Sequence, residues 1–317
     1  MKRNKPEAGA QTLLTKRQRK WLNVWRHREF YMFLIPAVIL TFIFHYIPMY
    51  GVLIAFKNTK IGQGFGGAWV GLDHFKRFFT IGQFSKLMKN TLILNFWVLI
   101  CSVPIPLILA LMLHNAPSKG LKKVSQTATY LPYLVSMVIV VSILNIFCNG
   151  EFGMINIIRR RQGLDTISFF GEPKYFVPLY VISAVWQSCG YNAVVYLAAL
   201  TAIDDSVVEA AVIDGASKLQ RMWHIDLKLI IPTVVTMMLL KVGQIMSLSS
   251  VDKVLLMQTD LNRSVSDTLG TYVYETGMIQ AQYSFSTAVG IFNSVANLII
   301  LFVSNWITKV VAKTSMF

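Results

Sequence analysis

SVVEAAVIDGASKLQRMWHIDLKLIIP, residues 206–232, is the only long charged stretch in the second half of the chain, and apolar runs long enough to cross a bilayer flank it on both sides. Its punctuation predicts two short helices. Ser206 followed three residues later by Glu209 has the spacing of a capping box, so the first helix is expected to start there. Gly215 accepts left-handed geometry and can end it. Ser217 with Gln220 repeats the spacing and starts the second. Ala210, Ala211, Gly215, Ala216 and Ser217 are small, so a partner can come close to this backbone, while Glu209, Asp214, Lys218 and Arg221 supply charge for docking.

The composition around this stretch is that of a bilayer protein. Of 317 residues, 54% are hydrophobic and 14% charged, where a soluble chain carries about 25% charged residues. A formal charge of +15 can mean nucleic acid, but here much of the excess lies in residues 1–28. That tail holds Lys2, Arg3, Lys5, Lys16, Arg17, Arg19, Lys20, Arg26 and Arg28 against Glu7 alone, next to an apolar run, so a cytoplasmic, positive-inside segment is expected and no nucleic-acid partner. Trp21, Trp25 and Phe30 suit an interfacial helix on the inner leaflet. Cys101, Cys148 and Cys189 are scattered in apolar runs without metal-ligand spacing, and an odd count precludes full internal pairing. No cleavable signal peptide is expected, because the first apolar run follows some thirty polar, basic residues with no small-residue cleavage site.

A span needs about 20 mostly apolar residues. Six segments qualify: 30–56, 91–113, 124–148, 175–203, 229–251 and 286–307. Pro104 and Pro106 are expected to kink the second, the fourth is long enough to tilt or to protrude, and Lys241 interrupts the fifth. The fold class is therefore all-α, a polytopic membrane protein with six transmembrane helices. With the basic tail inside, both termini are cytoplasmic; Lys309 and Lys313 agree, as does the connector 114–123 with Lys119, Lys122 and Lys123. The stretch 206–228 falls on the same side. The external loop 57–89 runs against the rule, carrying Lys57, Lys60, Lys76, Arg77, Lys86 and Lys89 against Asp73, and Phe75, Phe78 and Phe79 around Lys76 and Arg77 predict an amphipathic helix on the outer face. The remaining external loops are 149–174, with Arg159, Arg160 and Arg161 in a row, and 257–285.

The charged stretch resembles the E-A-A loop of membrane subunits of binding-protein-dependent ABC importers: E-A-A, three residues, G, nine residues, I-x-L-P. Glu209, Ala210, Ala211, Gly215, Ile225 and Leu227 stand at the required places, Asp214 and Ala216 match common flanking choices, and Lys228 stands where the pattern has proline, the next proline being Pro232. The segments FHYIPMYG (44–51), WVGLDHFKRFF (69–79), YLPYLVS (130–136), YLAALTAID (196–204) and YSFSTAVGIFNS (283–294) extend the resemblance over nearly the whole chain, to the subgroup of permeases for oligosaccharides and polysaccharide fragments. It implies a type I ABC importer transmembrane domain in the plasma or inner membrane. The implied partners are a second, homologous permease in a heterodimer, two cytoplasmic ABC ATPase subunits seated on a coupling helix, an external or periplasmic solute-binding protein, a carbohydrate and membrane lipid. The departure at Lys228 implies a docking helix that runs further, or one that enters the next span at a different angle. The domains implied are a basic tail and interfacial helix at 1–29, a first span and external loop at 30–86, a core at 87–310 with the coupling loop at 204–228, and a cytoplasmic tail at 311–317.

No enzymatic role, cofactor or metal is expected of this subunit. It has no G-x-x-x-x-G-K-[ST], H-E-x-x-H or G-x-S-x-G, so ATP hydrolysis falls to a partner. The substrate path is expected to be lined by polar groups within spans, which are costly against lipid. Lys241, Gln244 and Ser247, spaced by three on one helical face, and Trp186, Gln187, Tyr191 and Asn192 are the candidates, with an amide–aromatic pairing suited to sugars. For each amide the competing role is a helix–helix hydrogen bond, and for Lys241 a buried partner in the second permease. Arg159, Arg160, Arg161 and Lys241 raise an acidic sugar as a hypothesis, against contact with an acidic docking protein or lipid headgroups. Two rivals differ in kind. An ion-driven secondary transporter would need intramembrane carboxylates, of which Asp252 is the one nearby; a membrane enzyme acting on lipid or glycan would need a constellation that the scattered His45, His74, His114 and His224 do not form.

The topology makes a direct prediction. In a protein with Cys101, Cys148 and Cys189 replaced by serine, Ala216→Cys should react with a membrane-impermeant thiol reagent in inside-out vesicles and not in right-side-out ones. Labelling from the outside would overturn the orientation.

Overall fold

The structure is a computed structural model that describes residues 25–312 apart from 61 and 248. Most of the basic tail and Lys313 therefore lie outside the described residues. The described chain is helical almost throughout; its only paired strands, β1 (Lys57–Asn58) and β2 (Ala68–Trp69), form a two-residue antiparallel ladder in the register Lys57↔Trp69.

Two compact units divide at Leu53 and Ile54. In the first, α1 (Arg28–Thr41) runs into a π turn (Phe42–Tyr46) and a 3-10 segment beginning at Ile47, so the part of the first expected span that lies in this unit is helical. Its apolar side chains are exposed all round, from Phe33 to Tyr50, as befits a helix that faces lipid.

The second unit runs through α2 (Asp73–Thr80), α3 (Phe84–Ser102), α4 (Pro104–His114), α5 (Lys119–Tyr130), α6 (Met137–Cys148) and α7 (Met154–Arg161) to α8 (Pro173–Thr201). It continues with α9 (Asp205–Ile213), α10 (Lys218–Arg221), α11 (Leu227–Val242), α12 (Val251–Met257), α13 (Arg263–Ser266), α14 (Leu269–Tyr274) and α15 (Tyr283–Ala312). The 29-residue α8 is the spine; at 1.5 Å per residue it is about 44 Å long, more than a hydrocarbon core of about 30 Å. Its first half packs Phe176, Tyr180, Val181 and Val185 against Leu94 and Val98 of α3, Val141 of α6 and Val254 of α12. Its second half packs Ala193, Tyr196 and Leu200 against Ala110 and Leu111 of α4 and Ile230 of α11. A third cluster joins Phe78 of α2, Leu87 of α3, Leu269 of α14, and Phe285 and Val289 of α15.

Among the described residues three helical stretches are long and apolar enough to cross a bilayer, Arg28–Phe56, Phe84–His114 and Tyr283–Lys309, and a fourth if a bent pair counts as one span. The six-span expectation is not reached on length and apolarity alone, and the departures have local causes. The expected third span, 124–148, is broken: Lys119–Leu134 and Met137–Cys148 meet at 99°. Ser136 caps the second piece by accepting from the Ile139 N–H, and Gln187 of α8 donates to the Val135 carbonyl at 2.9 Å, holding the bend. The expected fifth span, 229–251, stops at Val242 and resumes at Val251. The expected fourth is present as α8, whose polar middle (Gln187, Ser188, Tyr191, Asn192) lowers its hydropathy. Pro104 opens α4 at a joint with α3, where the kink was expected.

In the break after Val242, Gly243, Gln244, Ile245 and Ser247 donate to nearby carbonyls, and three further backbone donors are taken by side chains from three other helices. Asn297 Oδ1 accepts from the Met246 N–H at 2.8 Å, Asn95 Oδ1 from Ser249 at 2.7 Å, and Tyr180 Oη from Ser250 at 2.8 Å. Non-helical backbone persists at membrane depth only when satisfied within protein in this way.

The contacts of the loop 57–89 account for part of its charge excess. Helix α2 buries Phe78 against α15 and α3 rather than lying free on lipid. Lys86 pairs with Asp267 at 2.7 Å, and Arg77 sits 4.4 Å from the Phe285 ring centre and donates to Gln282.

Helix α8 crosses α5 at Gly190, where a Cβ would run into the Thr129 carbonyl. Gly190→Ala should therefore destabilise the solubilised protein by about 1–3 kcal/mol, the usual cost of overpacking. Gly120→Ala, which meets nothing within 4 Å, should leave the thermal unfolding midpoint unchanged or raise it. Equal midpoints for the two variants would contradict the crossing.

Candidate functional site

Two places combine exposed or polar chemistry with a defined scaffold: the loop 204–228 and a cavity beside α8. In the loop the cap stands two residues earlier than the capping-box spacing predicts. Asp204 is the cap, accepting from the Ser206 N–H at 2.9 Å, and α9 starts at Asp205. An aspartate at the cap adds a negative charge to the positive end of the helix, so it outcompetes Ser206. Hydrogen bonds from Ser206 hold the Asp204 carboxyl below the usual carboxylate range, so the cap's contribution is complete above that range and is lost as pH falls below it through the lowered value. Glu209, relieved of capping, is exposed.

The end of α9 follows the sequence. Gly215 has φ of +78°, the Gly215 N–H donates to Val212 at 3.1 Å, and the Ala216 N–H donates to Ala211 at 2.9 Å, the pair of bonds that makes a Schellman cap. Ser217 and Gln220 form the expected capping box. From Lys218 the helix does not stop. It passes through α10, a π turn (Met222–Asp226) and α11 without leaving helical geometry. Lys228 therefore sits inside a continuous rod, and Pro232 is accommodated within α11.

The loop presents Glu209, Ala210, Asp214 and Gly215 to solvent with Val212, Leu219, Trp223 and Ile213, the last 85% exposed, while Ala211 is buried. Its base is anchored. Met222 and Leu227 pack on the cluster of α4 and α8. Asp226 is buried and its carboxylate accepts from Asn115 Nδ2 at 3.0 Å, tying the π turn to the end of α4. Ile225 is half-buried beside it.

The cavity, of about 370 Å³, is walled by α8, by the bend before α6 and by both sides of the break after α11. It brings together Lys241, Gln187, Tyr191 and Asn192 of the expected path residues. It leaves out three. Gln244 and Ser247 do not continue the face of Lys241, because the helix ends at Val242; they lie in the turns beyond it, and Ser247 Oγ accepts from Asn293 and Asn297 of α15. Trp186, one residue from Gln187, faces a separate apolar cavity of about 600 Å³ between α4, α5 and α8. Arg159 and Arg160 hold the carbonyls of Asp165 and Glu151.

Sequence reasoning missed Tyr133, Tyr180 and Lys253. Tyr133 stacks on Tyr191 with ring centres 4.1 Å apart and planes at 6°. Lys253 is 1% exposed, with its ammonium 5.1 Å from the Tyr180 ring centre. Its neighbour Asp252 is exposed, whereas Lys253 turns inward.

A bundle of lipid-facing and broken spans, carrying an exposed capped loop on a helical rod that ends in a polar cavity, has the organisation of a transport permease. The chain belongs to the family described as binding-protein-dependent transport system inner membrane component, which it matches over residues 102–314. It is 41% identical over 293 residues to Protein LplB of Bacillus subtilis (strain 168), covering 92% of each chain. It is 38% identical to the polygalacturonan/rhamnogalacturonan transport system permease protein YteP of the same organism, covering 93% of this chain and 92% of that one. Its fold superposes with a TM-score of 0.83 on a chain of a bacterial alginate ABC transporter crystallised with an alginate pentasaccharide-bound periplasmic protein. That match is 33% identical and covers 93% of this chain and 99% of the other. The protein is thus a multi-pass membrane component of an ABC transporter.

Asn115→Ala should remove the donor to a buried carboxylate, at a cost of about 1–3 kcal/mol. The check is a lower unfolding temperature of the solubilised protein together with faster proteolysis within 204–228. Unchanged proteolysis of the loop would mean that the contact does not anchor it.

Proposed function

We propose that this chain is one half of the membrane channel of an ATP-driven importer for oligosaccharides or polysaccharide fragments. A second, homologous permease completes the channel. Two cytoplasmic ATPase subunits seat on the loop 204–228, and an external or periplasmic solute-binding protein delivers the sugar. Both termini and the loop lie on the cytoplasmic side.

The observation that carries this reading is the rod of residues 218–242, which is helical throughout and about 37 Å long at 1.5 Å per residue. One end is the exposed loop; the other holds Lys241 at the cavity wall. Closure of the ATPase pair pushes on Glu209, Ala210, Gly215 and Ala216. The anchored rod tilts as one body, and the wall at Lys241 moves with it. The cavity then opens to one side of the membrane and closes to the other, as alternating access requires. The break at residues 243–250 is the hinge that absorbs the displacement, since motions of this kind concentrate where helices are interrupted. The carbohydrate reading is supported by the names of the relatives and by a cavity that combines stacked tyrosines with amides. An ion-coupled rival gains nothing from Asp252, which is exposed on α12.

The test is Gly215→Trp against Gly215→Asn in the complete transporter. Asparagine tolerates the left-handed backbone and keeps the surface small; tryptophan fills the space that a partner must enter. Gly215→Asn should retain sugar-stimulated ATPase activity and uptake, and Gly215→Trp should lose both by at least tenfold at equal membrane abundance. Normal uptake by Gly215→Trp would refute the docking of the ATPase at this loop.

A further inference from the structure

Lys241 stands at the end of α11 and Lys253 in α12, on the two sides of the interrupted helix, and both line the same cavity. Lys253 is 1% exposed and its ammonium has no hydrogen-bond partner among the described residues. No carboxylate lies within 4 Å of either ammonium among the described residues. A buried, unpaired ammonium is a costly arrangement, and the face of Tyr180 offsets it only in part. The walls around it offer no anion of their own: the cavity is otherwise lined by tyrosines, amides, hydroxyls and apolar groups.

We propose that Lys253, with Lys241, forms a binding site for the carboxylate of an acidic sugar, so that this permease carries uronate-containing oligosaccharides. The proposal rests on the reading of the chain as a carbohydrate permease and specifies its substrate class. The chemistry is complementary throughout. A uronate brings the negative charge that the two ammonium groups lack, and it would meet Lys253 at a buried position, where charge pairing is stronger than in bulk water. Its hydroxyls match Gln187 and Asn192, and its ring offers an apolar face to the free side of the Tyr133–Tyr191 stack. Because the two lysines flank the hinge, a bound carboxylate bridges the rod to α12 in one state of the cavity and is released when the rod tilts. The affinity is thereby coupled to the transport cycle. Arg159 and Arg160 take no part, since both are engaged with loop carbonyls.

The complete transporter, reconstituted with its own solute-binding protein, is offered a trisaccharide of hexuronic acid and the carboxyl-reduced neutral trisaccharide of the same linkage. Wild-type should transport the uronate. Lys253→Met should lower uronate uptake at least tenfold while changing uptake of any neutral sugar carried by less than twofold, and Lys253→Arg should restore a substantial part. An equal loss for both sugars would give Lys253 a structural partner, such as a carboxylate of the second permease, and would overturn the proposal. Unchanged uronate uptake in Lys253→Met would overturn it as well. Should Lys253→Met fail to assemble, direct titration of the wild-type complex without binding protein decides: uronate must bind at least tenfold more tightly than the neutral trisaccharide, and equal binding refutes the site. Good uptake of the neutral sugar alone would sink the uronate proposal and leave the carbohydrate reading standing; transport of neither would sink both.

Discussion

The constraint on which this architecture depends is that backbone polar groups cannot be left unpaired at membrane depth. Helix α11 ends at Val242 and α12 begins at Val251; Gly243, Gln244, Ile245 and Ser247 donate to nearby backbone carbonyls, while Met246, Ser249 and Ser250 take acceptors from elsewhere. Asn95, Tyr180 and Asn297 supply them from α3, α8 and α15. These three side chains fix where the break sits, and the break fixes the cavity. Were α11 to continue as a straight helix, Lys253 would be carried along its axis beyond Lys241, and the two ammonium groups would not share one wall.

The same economy explains the polar residues of α8. Gln187 holds the bend between α5 and α6, Tyr180 holds the end of the break, and Tyr191 stacks with Tyr133. Each of these groups lowers the hydropathy of a helix that must nevertheless lie in the bilayer, which is possible because the polar side faces protein and cavity. Two broken spans and one polar spine are thus a single arrangement: the breaks create irregular backbone, and the spine, with Asn95 of α3 and Asn297 of α15, satisfies part of it.

At the other end of α11 the order of events is reversed. There the chain is exposed and charged, and the structure spends its rigidity on keeping the helix continuous. The π turn at Met222–Asp226 turns Met222 and Leu227 onto α4 and α8, and it buries Asp226 against Asn115. The hydrogen bond from Asn115 to the buried Asp226 carboxylate ties the π turn to the end of α4 and so favours one geometry there. Fixing geometry is what a helix needs if it is to convey displacement from the loop to the cavity.

Much of this was legible in the residues. The order of 206–232 in the sequence predicted the Gly215 cap and the Ser217–Gln220 box, because capping depends on side chains within four residues of one another. Long apolar runs likewise identified the helices that face lipid, since lipid asks only for apolarity. The start of α9 was misplaced because Asp204 competes with Ser206, and local spacing alone does not rank the two. Hydropathy read 124–148 and 229–251 as unbroken spans, for it sees composition and not the acceptors that a distant Asn95 or Asn297 provides. It also spread Lys241, Gln244 and Ser247 along a helical face that stops after Lys241, and left Lys253 outside. The sequence by itself determined the helical, membrane-spanning class, the family and the loop; tertiary structure alone decided which polar residues share a cavity, because a helix break changes the direction of every side chain after it.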